Sequence, residues 1–167
     1  MKFYIALENL RSLHNIGAIF RTCSFFGFYN VLLVGYSGKA RDHYDHTILH
    51  PALAKTSLGS VSGLNIEFLD TSSDLVAYCT NGGLELVAVE QDERSVNVYD
   101  WVTTLKRDTA AIDKGYVLVF GNEVTGVSTE ILSLADKIVE IPRVGKKSSL
   151  NVATAAGLVM GLCVNLG

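Results

Sequence analysis

The chain of 167 residues is long enough for one domain with a sizeable core and short for two. Hydrophobic residues make up 49% and charged residues 19%, which excludes the composition of a disordered chain. With 14 Lys and Arg against 17 Asp and Glu the net charge is −3, so bulk positive charge is not a means of binding nucleic acid; any such contact needs a local basic patch or a surface built from two subunits.

Short apolar runs alternate with helix-like segments along the chain. Residues 3–7 read as a strand and 14–26 as a helix closed by Gly27, a C′ glycine. A second strand, 31–34, is followed by a polar loop at 35–46 and a short segment near 49–58. Residues 66–69 read as a strand, 73–80 as a helix ended by Asn81-Gly82-Gly83, and 85–89 as the next strand. The stretch 91–115 is polar and without clear periodicity, with Trp101 as its anchor to the core. Then come a strand at 116–120, a short helix N-capped by Ser128 with Glu130 in its first turn, a strand at 137–141 and a last helix at 150–164. Apolar strands joined by helices predict an α/β fold: a single domain, spanning 1–167, around a mostly parallel sheet.

The longest mostly apolar stretch, 152–164, falls short of the roughly 18–20 residues of a membrane-spanning helix. The first apolar run stops at Glu8 with no small-residue cleavage site, so no signal peptide is expected. Cys23, Cys79 and Cys163 have neither disulfide nor zinc spacing; they read as buried small hydrophobes in a reducing cytoplasm.

Ligands of an α/β sheet bind beyond the carboxyl ends of the strands. The turn after 116–120 is Gly121-Asn122-Glu123-Val124-Thr125-Gly126-Val127-Ser128. Its glycines have P-loop separation, but Val127 stands where a P-loop needs Lys, and Glu123 would repel a triphosphate. Glu8-Asn9-Leu10-Arg11 after the first strand lacks the glycine cluster of a dinucleotide fold and of a Rossmann-like methyltransferase. No G-x-S-x-G elbow supports a hydrolase.

Three clusters stand out instead. Asn15-Ile16-Gly17-Ala18-Ile19-Phe20-Arg21 places an Asn and an Arg under two helical turns apart, with Gly17 permitting a close approach. The second cluster is Phe120-Gly121-Asn122-Glu123 with Gly126. The third is Ile141-Pro142 followed by Ser148-Ser149-Leu150-Asn151-Val152-Ala153-Thr154-Ala155-Ala156-Gly157, polar groups opening a helix of small residues.

In order and spacing these clusters resemble the Asn-x-Gly-x-x-x-Arg, Gly-x-Glu-x-x-Gly and Ile-Pro…Ser-Leu-Asn-Val motifs of the SpoU (TrmH-like) class of SPOUT RNA methyltransferases. Lys55-Thr56-Ser57-Leu58-Gly59-Ser60 is similar to a further segment common in that class, and the resemblance runs from about Asn9 to the C-terminus. It implies a deep C-terminal trefoil knot, which sequence reasoning would not propose, knots being nearly absent from proteins. It also implies a homodimer with active sites at the subunit interface, S-adenosyl-L-methionine as cofactor, and methyl transfer to a ribose 2′-hydroxyl of RNA, tRNA before rRNA.

Residue by residue, the resemblance puts Val89, Gly121, Asn122, Ile141, Ser149 and Leu150 around the cofactor, and Arg21, Asn15, Glu123, Ser149 and Asn151 in the catalytic set. Ile141 and Leu150 suit the faces of a flat adenine, and Gly121 admits backbone groups at close range. Glu123 either faces the sulfonium or braces the knot or the dimer. Arg21 either removes the hydroxyl proton or clamps a phosphate and stabilises charge on the attacking oxygen, the second being easier for a guanidinium. Asn15 orients the ribose or the arginine, unless it only caps its helix. Ser149 and Asn151 fix their loop by hydrogen bonds.

Two positions depart from the motif: Arg143 where many members have Met, and Ala153 where they have Ser. Arg143 joins Lys146 and Lys147 in a basic cluster suited to an RNA backbone. Ala153 is the one hint of an alternative, a catalytically silent knotted module that binds RNA and keeps the cofactor pocket. By this resemblance the chain is expected to be a single methyltransferase domain without a separate RNA-binding extension, like the minimal branch of the class. His43, His46 and His50 lack a metal-site pattern, so no metal is expected; with Lys39 and Arg41 they read as a polar loop meeting phosphates. Lys106-Arg107 is a second small basic patch or a solvated turn.

Overall fold

The computed structural model describes residues 1–164. Nine strands and six α-helices are described: β1 (Lys2–Glu8), α1 (Leu13–Phe26), β2 (Asn30–Val34), β3 (Lys39–Arg41), β4 (Thr47–Leu49), α2 (Ala52–Thr56), β5 (Asn65–Leu69), α3 (Ser72–Gly82), β6 (Leu84–Val89), β7 (Val96–Asn97), α4 (Val98–Arg107), β8 (Gly115–Phe120), α5 (Thr129–Leu134), β9 (Lys137–Glu140) and α6 (Val152–Cys163). Seven strands form one sheet in the order β5-β2-β1-β8-β6-β9-β7, and every pair in it is parallel. β3 and β4 form a separate antiparallel hairpin.

Alternation along the strands divides the core. Phe3, Ile5 and Leu7 of β1 face one side, with Tyr116, Leu118 and Phe120 of β8, against α1, α4 and α6. Tyr4 and Ala6, with Val117 and Val119, face the other side against α3 and α5. The result is a three-layer sandwich, and it explains why the central strands are apolar on both faces.

The polar stretch after β6 resolves into β7, α4 and a 3-10 turn, Thr109–Asp113. α4 buries Val98, Trp101, Val102 and Leu105, an i, i+3, i+4, i+7 stripe, and Trp101 meets Tyr116 edge-on with ring centroids 6.1 Å apart. Gly27 ends α1 in the left-handed region, φ +81°, with its N–H bonded to Cys23 O. Gly17 permits a close approach of α2: a Cβ there would collide with Thr56. α6 starts two residues later than the sequence suggests, because the Asn151 side chain accepts from the N–H groups of Ala153 and Thr154 and so fixes the helix start at Val152. The loop expected at 35–46 contains β3, and its tip is an Asx turn in which Asp42 Oδ1 accepts from Tyr44 N and His46 N.

Glu8, 1% exposed, ties the layers together at the end of β1. Its carboxylate accepts from Ser72 Oγ at the start of α3 and from Ser128 N and Oγ at the start of α5. All three cysteines are buried and free; burial pushes the thiols of Cys23 and Cys163 up to about 12 and that of Cys79 up to about 11, so none is a reactive thiolate.

Candidate functional site

β8, β6 and β9 are neighbours and end on the same edge of the sheet, and a cleft of about 690 Å³ opens there. Val89 ends β6 and Glu90 follows it, residues 121–126 follow β8, and residues 141–151 follow β9; all three segments line it. This is where an open α/β sheet takes a ligand, and the volume lies in the usual range of about 300–1,000 Å³ for small-molecule sites.

The loop after β8 closes on itself. Asn122 and Gly126 exchange two backbone hydrogen bonds of 3.0 and 2.9 Å, and a Cβ on Gly121 would collide with the backbone of Gly126 and Val127. The close approach that Gly121 allows is therefore made by its own loop. The Asn122 side chain is fully engaged too: Nδ2 donates to Asn9 O and Tyr36 Oη, and Oδ1 accepts from Val124 N and Thr125 N.

Glu123 reaches out of this loop to the start of α1. Its carboxylate accepts from Arg11 N (3.1 Å), Ser12 N (3.0 Å) and Asn15 Nδ2 (3.1 Å). These contacts are those of a brace, and the helix N-terminus favours a negative charge there. Burial pushes the carboxyl upward, but the N–H groups of Arg11, Glu123 and Ser12 together with the Asn15 amide outweigh it and hold it below its ordinary value. Asn15 is not the cap of α1; Ser12 is, accepting from Asn15 N. The Asn15 side chain bridges instead, donating to Glu123 and accepting from Asn151 Nδ2 at 3.2 Å.

One polar chain, Glu123–Asn15–Asn151, thus joins all three motif segments along the cleft. Val89, Gly121, Asn122, Ile141, Ser149, Leu150, Asn15, Glu123 and Asn151 all line it. Arg21 does not: it is exposed on α1, six residues and about 9 Å beyond Asn15 along the helix. Sequence reasoning passed over Glu90, Gln91 and Glu140, which also line the cleft. Their position directly after β6 and at the end of β9 was the available signal.

The basic residues divide into two groups. Lys39 Nζ is held by Leu69 O (2.8 Å) and Asp70 (2.9 Å), whereas Arg41 gives one hydrogen bond, from Nη1 to Asp45 O, and its side chain is exposed. His46 lies 3.2 Å from Asp42, His50 accepts from Ala52 N, and His43 packs on Tyr44. Among the described residues no cluster of three or more His, Cys, Asp or Glu is placed to hold a metal, and no helix is long and apolar enough to cross a membrane. Arg143 and Lys147, by contrast, line the cleft, and neither forms an ion pair among the described residues.

The family model of the SpoU rRNA Methylase family matches residues 2–161. The chain belongs to the SpoU family. Among its SpoU relatives, a protein of Aquifex aeolicus named tRNA (guanosine(18)-2′-O)-methyltransferase is 32% identical over 92% of this chain and 64% of its own. The 23S rRNA (adenosine(1067)-2′-O)-methyltransferase of Streptomyces laurentii is 34% identical over 93% of this chain and 52% of its own. The chain therefore spans somewhat over half the length of the curated relatives it matches. The AdoMet-bound rRNA methyltransferase of Sinorhizobium meliloti superposes with a TM-score of 0.77 at 26% identity, covering 96% of this chain and 55% of that one.

Proposed function

We propose that this SpoU protein is an S-adenosyl-L-methionine-dependent RNA methyltransferase acting on a ribose 2′-hydroxyl, with tRNA as its substrate class before rRNA. The observation that carries this reading is the Glu123–Asn15–Asn151 chain, which joins the three motif segments around one cleft. The cleft's residues fit the cofactor. Val89, Ile141 and Leu150 offer apolar surface for a flat base, and the carboxylates of Glu90 and Glu140 on the lining give negative charge that suits a sulfonium. Bound there, the cofactor would supply an electrophilic methyl group.

The chain's own residues orient and hold charge. Arg143 and Lys147 at the cleft provide the local positive charge that a net −3 protein needs to take an RNA backbone. Arg21 acts as a fork on a phosphate next to the reacting ribose, stabilising negative charge on the 2′ oxygen.

Because Arg21 lies outside its own chain's cleft, the active site is complete in a homodimer, where the partner's copy of α1 supplies the arginine. Phe25, 82% exposed and one helical turn beyond Arg21 on the same helix, gives that face apolar surface a subunit contact uses. The trefoil knot of the class belongs to the same proposal, supported by the match to related folds across nearly the whole chain.

Nucleoside mass spectrometry of tRNA and rRNA from cells with and without the gene tests this reading. One 2′-O-methylated nucleoside should vanish, return with the wild type, and not return with Arg21→Ala, whose rate should fall by about 10²–10³. Arg21→Lys, with the charge but without the fork, should stay near the Ala level. An unchanged nucleoside profile would favour the silent binding module, which Ala153 allows.

A further inference from the structure

Glu90 and Gln91 stand at the end of β6, the strand between β8 and β9, and each side chain reaches a different wall of the cleft. The half-buried Glu90 carboxylate accepts from Gln91 N (2.8 Å) through Oε1 and from Val127 N (2.9 Å) through Oε2, which holds the loop after β8. Gly126 in that loop has φ +72°, and a Cβ there would collide with Glu90 Oε2, so loop and carboxylate fit without a gap. Gln91 serves the opposite wall: Nε2 donates to Ser148 O at 3.3 Å. Among the described residues this is the only hydrogen bond made by 142–150, a stretch exposed along its whole length.

We propose that Glu90 and Gln91 are positioning residues that set the width of the nucleoside cleft, Gln91 by tethering the 142–150 loop against it. The proposal rests on reading the cleft as an S-adenosyl-L-methionine site. A loop held at one point opens when that point is lost, and apparent affinity falls with the fraction of molecules left in the competent form. Ser149 and Leu150 follow the tethered Ser148 directly, so the loss of the tether moves two cofactor-facing residues first.

The test compares wild type, Gln91→Ala and Gln91→Lys as full chains. Titration calorimetry reads S-adenosyl-L-methionine binding, hydrogen exchange without ligand reads the loops, and thermal melting reads stability. Gln91→Ala should weaken binding about three- to tenfold, the equivalent of one neutral hydrogen bond. It should also speed exchange in peptides covering 142–150, with the melting temperature unchanged. Gln91→Lys restores a donor and should bring both readouts back. Glu90→Gln puts an amide N–H opposite a backbone N–H and should loosen 121–127 instead. Wild-type binding or wild-type loop exchange in Gln91→Ala overturns the proposal, as does a loss of binding that only tracks a fall in melting temperature. A wild-type protein that binds no S-adenosyl-L-methionine overturns the nucleoside reading itself and the affinity claim with it; unprotected loop exchange in the wild type then removes the tether as well.

Discussion

Asn15 bonds to residues 108 and 136 positions away in sequence, and through it three motifs become one site. The residue types were legible: an Asn and an Arg near a helix start, a Glu in a glycine turn, an Asn before a helix of small residues. Their partnership was not, because a side-chain amide hydrogen-bonds equally well to a ligand, a helix end or another amide, and only the fold selects among them. The same holds for Glu123, whose charge satisfies an α1 terminus built from residues more than a hundred positions earlier. Its depressed pKa has a definite consequence. Its contribution to stability is present above the ordinary Glu value of 4.5 and is lost as the pH falls through the lower, folded value. Thermal melts from about pH 6 down to about pH 3 should show wild type losing stability more steeply than Glu123→Gln, which has no charge to lose there. Parallel curves would remove the brace from the account.

Among the elements, those with strong apolar runs were read well, and the errors fall where local and tertiary signals compete. The stripe Val98, Trp101, Val102, Leu105 was present in the sequence of α4, but the charged and polar residues between them hid the period. β7 has two residues and exists through its pairing with β9, a long-range event with no local signature. The β3–β4 hairpin is similarly short, and its Asp42 turn was hidden among polar residues. The start of α6 shows the opposite case, in which one side chain does two jobs. Asn151 caps the helix through Oδ1 and reaches Asn15 through Nδ2. Serine caps as well as asparagine but has no amide. Asn151→Ser should therefore unfold in denaturant within about 0.5 kcal/mol of wild type while methyl transfer falls about tenfold. Loss of stability with activity intact would assign Asn151 to the helix alone.

At the scale of the whole molecule, the α/β class followed from strands apolar on both faces, and the sheet is parallel throughout, its connections crossing over through helices except for the short stretch 90–95 between β6 and β7, which are not neighbours. What the chain does with its outer surface was out of reach, since exposed apolar residues on one subunit carry no label for their partner. The proposed dimer gives Phe25 that partner. Wild type should sediment as a dimer at micromolar concentration, and Phe25→Glu as a folded monomer with methyl transfer reduced at least about tenfold, as expected for a charge placed in an apolar contact. A monomeric wild type with full activity would mean that Arg21 acts without a second copy. The strand order sets one more property, this time during synthesis. β1 is an inner strand of the sheet, flanked by β2 and β8, and its β8 edge pairs Lys2 opposite Gly115. A nascent chain emerging from the ribosome therefore carries this inner apolar strand with one side unzipped until more than two thirds of the sequence has been translated, and a chain halted before β8 leaves that open edge for other molecules to pair with.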